Sequence, residues 1–169
     1  MDPGTRTVGY GLIECRGSRF SVVEAGTLPV PGAATLPVRL SAAAAALRGV
    51  LGRHRVDAAA MEDVFVKKDP RAALAVGEGR GALLAVLGEA GIEVTSYPPG
   101  TVKRAVCGHG AADKSQVAGM VARILGLQAP PRPPDVSDAL AVALTHALRR
   151  GRPAAPPAPE ERPGAGARG

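Results

Sequence analysis

The sequence predicts a single α/β domain with a mixed sheet, and three observations carry that prediction. The chain opens with two runs of strand-forming residues joined by a Gly-Ser turn, which pair most simply as an antiparallel hairpin. Beyond them, short apolar runs alternate with long stretches of helical periodicity, the pattern of strands linked by crossover helices. Composition supplies the third: 46% of the 169 residues are hydrophobic but only 2% are aromatic. The core is therefore aliphatic and closely packed, in a chain long enough to bury one.

Each element follows in order. TVGYGLIEC and RFSVVEAGTLPV form the hairpin. LPVRLSAAAAALRGVLGRHR combines helical spacing with strong helix formers. DAAAMEDVF is a short apolar run ended by charges, as expected of a strand buried on both faces in a partly parallel sheet. DPRAALAVGEGRGALLAVLGEAG is a second long helix, with Pro70 near its start and Gly91 near its end. IEVTSYPPG is another strand, closed by a Pro-Pro-Gly stop. TVKRAVCGHGAADKSQVAGMVARILGL gives a short helix, a Gly-rich loop and a longer helix. After the Pro-rich linker QAPPRPPD comes a last helix, DVSDALAVALTHALRR. Residues 151–169, GRPAAPPAPEERPGAGARG, lack core formers and read as a disordered tail, leaving 1–150 as the folded domain.

Charge and cysteine usage narrow the function classes. A formal charge of +6 points to a polyanionic partner, with nucleic acid the first candidate. Two cysteines, Cys15 and Cys107, lie far apart without CxxC spacing, as in a reduced, cytoplasmic protein. There is no charged-then-apolar leader and no long apolar run, which argues against secretion and membrane spanning. Of 21 Lys and Arg, the lysines are Lys67, Lys68, Lys103 and Lys114. In so Arg-rich a chain, such scarcity suggests positions where an ammonium is wanted.

Acidic residues stand at element ends. Asp2 precedes the PGTR turn, Glu62 follows the apolar strand, and Asp135 and Asp138 share one face at the start of the last helix. Clustered carboxylates repel unless a cation neutralises them, and Mg²⁺ suits hard oxygen ligands. Taken singly, each has a plainer reading: Asp135 as an N-cap with Asp138 three residues on, Glu62 with Asp63 as strand-end charges, Asp2 as turn chemistry. Spacing alone leaves both readings open.

The combination does not. DPGTRTVGYG, MEDVF, GEGRG, TVKRAVCGHGAADKSQV and DVSDALAVALTH, in this order, resemble the RuvC family of bacterial Holliday-junction resolvases, from Asp2 to about Arg149. The resemblance implies a ribonuclease-H-like fold with a central mixed five-stranded sheet flanked by helices. It implies a homodimer that makes paired, symmetric, Mg²⁺-dependent nicks in four-way junction DNA during recombination and repair, beside a branch-migration helicase complex. Carried over residue by residue, it makes Asp2, Glu62, Asp135 and Asp138 catalytic metal ligands, with two Mg²⁺ ions per site and Mn²⁺ able to substitute. A metal-activated water would leave a 5′-phosphate and a 3′-hydroxyl. Phe65 would stack on an unpaired base, and Lys67, Lys103 and Lys114 would contact DNA, with the Gly108-His109-Gly110 loop letting backbone approach a phosphate. His109 and His146 read as loop and helix residues rather than ligands. Gly77, Arg80 and Gly81 match a family pattern and read as helix-packing positions at the dimer interface.

The resemblance also implies several apolar residues ahead of the DPG turn, forming the first strand. Losing about four such side chains costs roughly 6–12 kcal/mol, so the expectation is a misassigned start codon and a longer true chain. Two other readings compete with the nuclease: a junction-binding protein whose activity went with the truncated strand, and a ribonuclease-H-like enzyme acting on RNA. Nicking of a four-way junction with Mg²⁺ separates them.

Overall fold

Two apolar cores, one on each face of a sheet, organise the molecule. The computed structural model describes residues 1–3, 7–63 and 70–150. The predicted tail, 151–169, lies outside them, as do Phe65 and Lys67. The strands are β1 (Asp2–Pro3), β2 (Val8–Arg16), β3 (Arg19–Leu28), β4 (Ala59–Glu62) and β5 (Val94–Tyr97). The helices are α1 (Leu36–Arg53), α2 (Pro70–Glu89), α3 (Pro99–Cys107), α4 (Lys114–Ile124) and α5 (Pro134–Arg150).

The predicted hairpin is β2 and β3, antiparallel from Val8↔Leu28 to Arg16↔Arg19. Gly17 turns it with φ at 61°, a conformation that costs a residue with a Cβ but not glycine. β1 pairs antiparallel with β2, Asp2 opposite Gly9, and β4 pairs parallel with β5, Ala59 opposite Val94 and Glu62 opposite Tyr97. Met1 joins the two ladders. Its ammonium donates to the Ala60 carbonyl at 2.7 Å, and the Glu62 N–H donates to the Met1 carbonyl at 3.2 Å. That is the parallel pattern, so a three-stranded and a two-stranded sheet, β3-β2-β1 and β4-β5, are joined edge to edge through Met1 in the order of a five-stranded mixed sheet.

Residues of β4 alternate between the cores as a strand must. Ala60 packs with α3, α4 and α5, around Val102, Val121, Leu140 and Leu144. Met61 faces the other way, into the core of α1 and α2 with Leu47, Leu83 and Leu87. Aliphatic residues fill both cores; Met61, Leu83, Leu87, Leu140 and Leu144 are fully buried. Each contributes about 1.5–3 kcal/mol of burial.

Two predicted details are corrected. The Pro-Pro-Gly after β5 is the start of α3 as much as a stop: Pro98 is extended ahead of the helix and Pro99 opens it. A missing N–H is harmless there. Nor is Asp135 the N-cap of the last helix. α5 begins at Pro134, which puts Asp135 inside its first turn, where a carboxylate still complements the helix dipole.

Candidate active site

Alternation along β4 fixes where its acids go. Ala60 faces α5, so Glu62, two residues on, projects to the same side, at the C-terminal end of the parallel β4–β5 pair. There it lines a pocket of about 90 Å³ with Lys103, Lys114 and Asp138, floored by Val102, Val117, Ala141 and Val142. Four residues singled out from sequence therefore converge, from β4, α3, α4 and α5.

Local structure aims each of them. Asp113 caps α4 by accepting from the Gln116 N–H at 2.9 Å, while the Gln116 side chain accepts from the Asp113 N–H at 2.9 Å. This reciprocal capping box fixes the first turn of α4, and Lys114, its first residue, reaches Asp138 Oδ2 at 2.9 Å. The Gln116 N–H, followed by the Ser115 hydroxyl, holds the Asp113 carboxyl below its usual range. Asp138 is only 23% exposed, so its charge faces the pocket rather than bulk water. Lys103 lies on α3, near Cys107 and Asp113; burial and then Asp113 push the Cys107 thiol up, and Lys103 opposes them.

Asp135 and Asp2 are placed by one glycine. Gly9 lies opposite Asp2 in the β1–β2 ladder. A Cβ on Gly9 would sit 2.0 Å from the Asp135 carbonyl oxygen, and one on Gly11 would sit 2.5 Å from Leu140 Cδ2. The first turns of α5 thus lie directly on β2, which only glycine permits. The backbones of Asp2 and Asp135 both meet at Gly9, and the Glu62 backbone is bonded to Met1, next to Asp2. The Asp2 side chain lies outside the described part of the structure. Asp135 does not line the pocket.

Sequence reasoning missed Tyr97 near the pocket and the contacts of His146 and Arg80. Tyr97, the partner of Glu62 across the ladder, is hydrogen-bonded through its hydroxyl to His146 Nδ1 at 3.0 Å, tying β5 to α5. Burial lowers the His146 pKa, helped by Arg150 and opposed by Glu93. The Gly-x-Gly of β2 was the legible signal for a close backbone approach. Arg80 is no mere packing residue: its guanidinium donates to the Glu62 carbonyl at 2.7 Å. A Cβ at Gly77 or Gly81 would meet open space, so no other part of the described chain packs closely there.

Acids and ammoniums meet around one small pocket at the end of a parallel strand pair, in a strongly basic chain, an arrangement suited to an α/β nuclease. Residues 1–146 match the family model for crossover junction endodeoxyribonuclease RuvC. The chain is 43% identical over 146 residues to the enzyme of that name from Syntrophomonas wolfei, covering 86% of this chain and 85% of that one. It is also similar to a Thermus thermophilus RuvC structure, with TM-score 0.80 and 38% identity over 89% of this chain and 93% of that one. Thermus thermophilus RuvC in complex with a Holliday junction substrate superposes with TM-score 0.84 at 37% identity, covering 88% of this chain and 91% of that one. This chain belongs to the RuvC family of crossover junction endodeoxyribonucleases, and its fold is the ribonuclease-H-like fold of that family. Membership implies divalent-metal-dependent hydrolysis of DNA phosphodiesters.

Proposed function

We propose that this protein resolves four-way DNA junctions by paired, symmetric nicks supported by Mg²⁺, in recombination and repair. The observation that carries the reading is the convergence of Glu62, Asp138, Lys103 and Lys114 on one pocket. Among the described residues no three of His, Cys, Asp and Glu cluster tightly enough to hold an ion. The donor chemistry nevertheless fits one: Glu62 and Asp138 offer hard carboxylate oxygens to one pocket, and the backbones of Asp2 and Asp135 both meet Gly9. Glu62, Asp138, Asp135 and Asp2 would hold the metal, with two ions the reading we favour and Mn²⁺ able to replace Mg²⁺. When bound, the metal would supply an activated water and charge stabilisation at the leaving oxygen.

The chain's own residues do the rest. Asp138 and Glu62 concentrate negative charge at the pocket, and Lys103 and Lys114 offset it so that a phosphate can approach. Lys114 is 81% exposed, so its ammonium is accessible to a DNA phosphate. Lys67 would add a backbone contact, and Phe65 would stack on a base freed at the branch point.

We further propose a homodimer, since two opposed strands need two sites. Val38 on α1 and Leu74 on α2 are exposed apolar residues, and Gly77 and Gly81 have open space before them on α2. A helicase complex and cytoplasmic location follow from the same reading. No helix among the described residues is long and apolar enough to cross a membrane. Similarity to enzymes named for the nuclease activity favours this reading over a binding-only protein. The test is cleavage of a synthetic mobile four-way junction with Mg²⁺ by wild type and Asp138→Asn. Symmetric nicks that disappear in the variant and in chelator support the reading; wild type that binds without nicking overturns it.

A further inference from the structure

Two adjacent acids, Glu62 closing β4 and Asp63 just beyond it, part company. Alternation turns Glu62 toward α5 and Asp63 toward α2. On the α2 side stands Arg80, its side chain only 17% exposed. One terminal nitrogen donates to the Glu62 carbonyl at 2.7 Å. The other donates to the Ser96 hydroxyl on β5 and lies 3.7 Å from Asp63 Oδ1. The Asp63 N–H in turn donates to the Tyr97 carbonyl at 2.9 Å, so the strand end is held both by its neighbour in the sheet and by Arg80.

The geometry points to Arg80 as a positioning residue for Glu62. The guanidinium fixes the plane of the Glu62 peptide by its carbonyl and anchors itself on β5. The carboxylate on the opposite side of the sheet is thereby held toward the pocket of Lys103, Lys114 and Asp138. The planar fork matters: one cation serves two acceptors on neighbouring strands, which a lysine ammonium on a flexible stem reproduces poorly. Arg80 does not line the pocket; its bond to the Glu62 carbonyl is the link to it. The Asp63 contact is long and the carboxylate 39% exposed, so it balances charge without carrying the positioning. This inference rests on Glu62 being a metal ligand.

Mn²⁺ binding to the full-length protein, without DNA, measured by the electron paramagnetic resonance of the free ion, tests it. Arg80→Met should weaken Mn²⁺ binding at least tenfold and Arg80→Lys less, with Ser96→Ala about threefold weaker and Asp63→Asn within twofold of wild type. In nicking assays, Arg80→Met should raise the Mg²⁺ concentration for half-maximal rate by a similar factor while the rate at saturating Mg²⁺ stays within about threefold. A merely structural role would lower the melting temperature and leave the metal affinity of the folded fraction unchanged. Glu62→Gln is the reference arm. If Glu62→Gln weakens Mn²⁺ binding but Arg80→Met and Ser96→Ala stay within twofold of wild type, Arg80 does not position Glu62. If Glu62→Gln itself binds like wild type, the metal-ligand reading of Glu62 fails instead. Should Arg80→Met not fold, Ser96→Ala decides the matter, because it removes one hydroxyl and leaves both cores untouched.

Discussion

Glu62 reaches the pocket by parity along a strand, and such parity is readable only once the strand's neighbours are known. The sequence marks Glu62, Asp138, Lys103 and Lys114 through the family motifs, and they meet at one pocket. Nothing in the local sequence distinguishes Glu62 from Asp63, because either could face α5 until the register of β4 is set. A second charge cluster, away from the pocket, makes a sharper prediction at this scale. Glu24 on β3 accepts from Arg53 at 2.6 Å and from the Tyr10 hydroxyl at 2.5 Å, and lies 2.5 Å from His54 Nε2. Arg53 first, then Tyr10 and His54, lower its pKa from 4.5 to about 2. A carboxyl whose folded pKa is depressed stabilises the fold above its unfolded value and loses that contribution as pH falls. Wild type should therefore exceed Glu24→Gln in urea midpoint at pH 6, with the gap closing between about pH 4.5 and 2. A gap that persists undiminished at pH 2 would show that the cluster acts by packing alone. For the pocket, Glu62→Gln should abolish nicking and leave junction affinity within a few-fold, because binding is dominated by phosphate contacts.

At the scale of elements, hydrophobic periodicity carried most of the fold. The hairpin, the two long helices α1 and α2, and the closing helix α5 all occupy the predicted stretches, since each has a pattern of one period over many residues. What periodicity misses is how closely two elements approach. α5 lies on β2 because Gly9 and Gly11 have no Cβ, and a glycine in a strand is as easily read as a weak strand former. Gly9→Ala should push the first turn of α5 outward: the new Cβ would be 2.0 Å from the Asp135 carbonyl oxygen. We expect a loss of about 1–3 kcal/mol from overpacking. Nicking should fall about 100-fold, the scale on which a misplaced catalytic group acts. Gly119→Ala is the contrasting change. Gly119 sits inside α4, and a methyl group added there would meet nothing within 4 Å. The substitution should therefore stabilise by about 0.5–1 kcal/mol and leave nicking unchanged. Urea titration and junction cleavage of the two variants check both outcomes.

For the whole molecule, the sheet divides the labour. One face, with α3, α4 and α5, carries the pocket and its lysines. The other, with α1 and α2, ends in exposed Val38 and Leu74 beside glycines with open space before them. Sequence could suggest association at Gly77 and Gly81 only through the family pattern, because an apolar residue left exposed by the fold looks, in a string, like one that is buried. If α1 and α2 join two copies, the two pockets act on opposite strands of one junction, and monomers lose the coordination of the nicks rather than the chemistry. Leu74→Glu combined with Val38→Glu places carboxylates on this face without touching either core. Sedimentation at micromolar concentration should then show a shift from dimer to monomer, with junction affinity reduced more than tenfold as two-point attachment is lost. In a cruciform plasmid assay, the variant should give singly nicked circles where wild type gives linear product. A variant that still sediments as a dimer and still linearises the plasmid would place the interface on another surface.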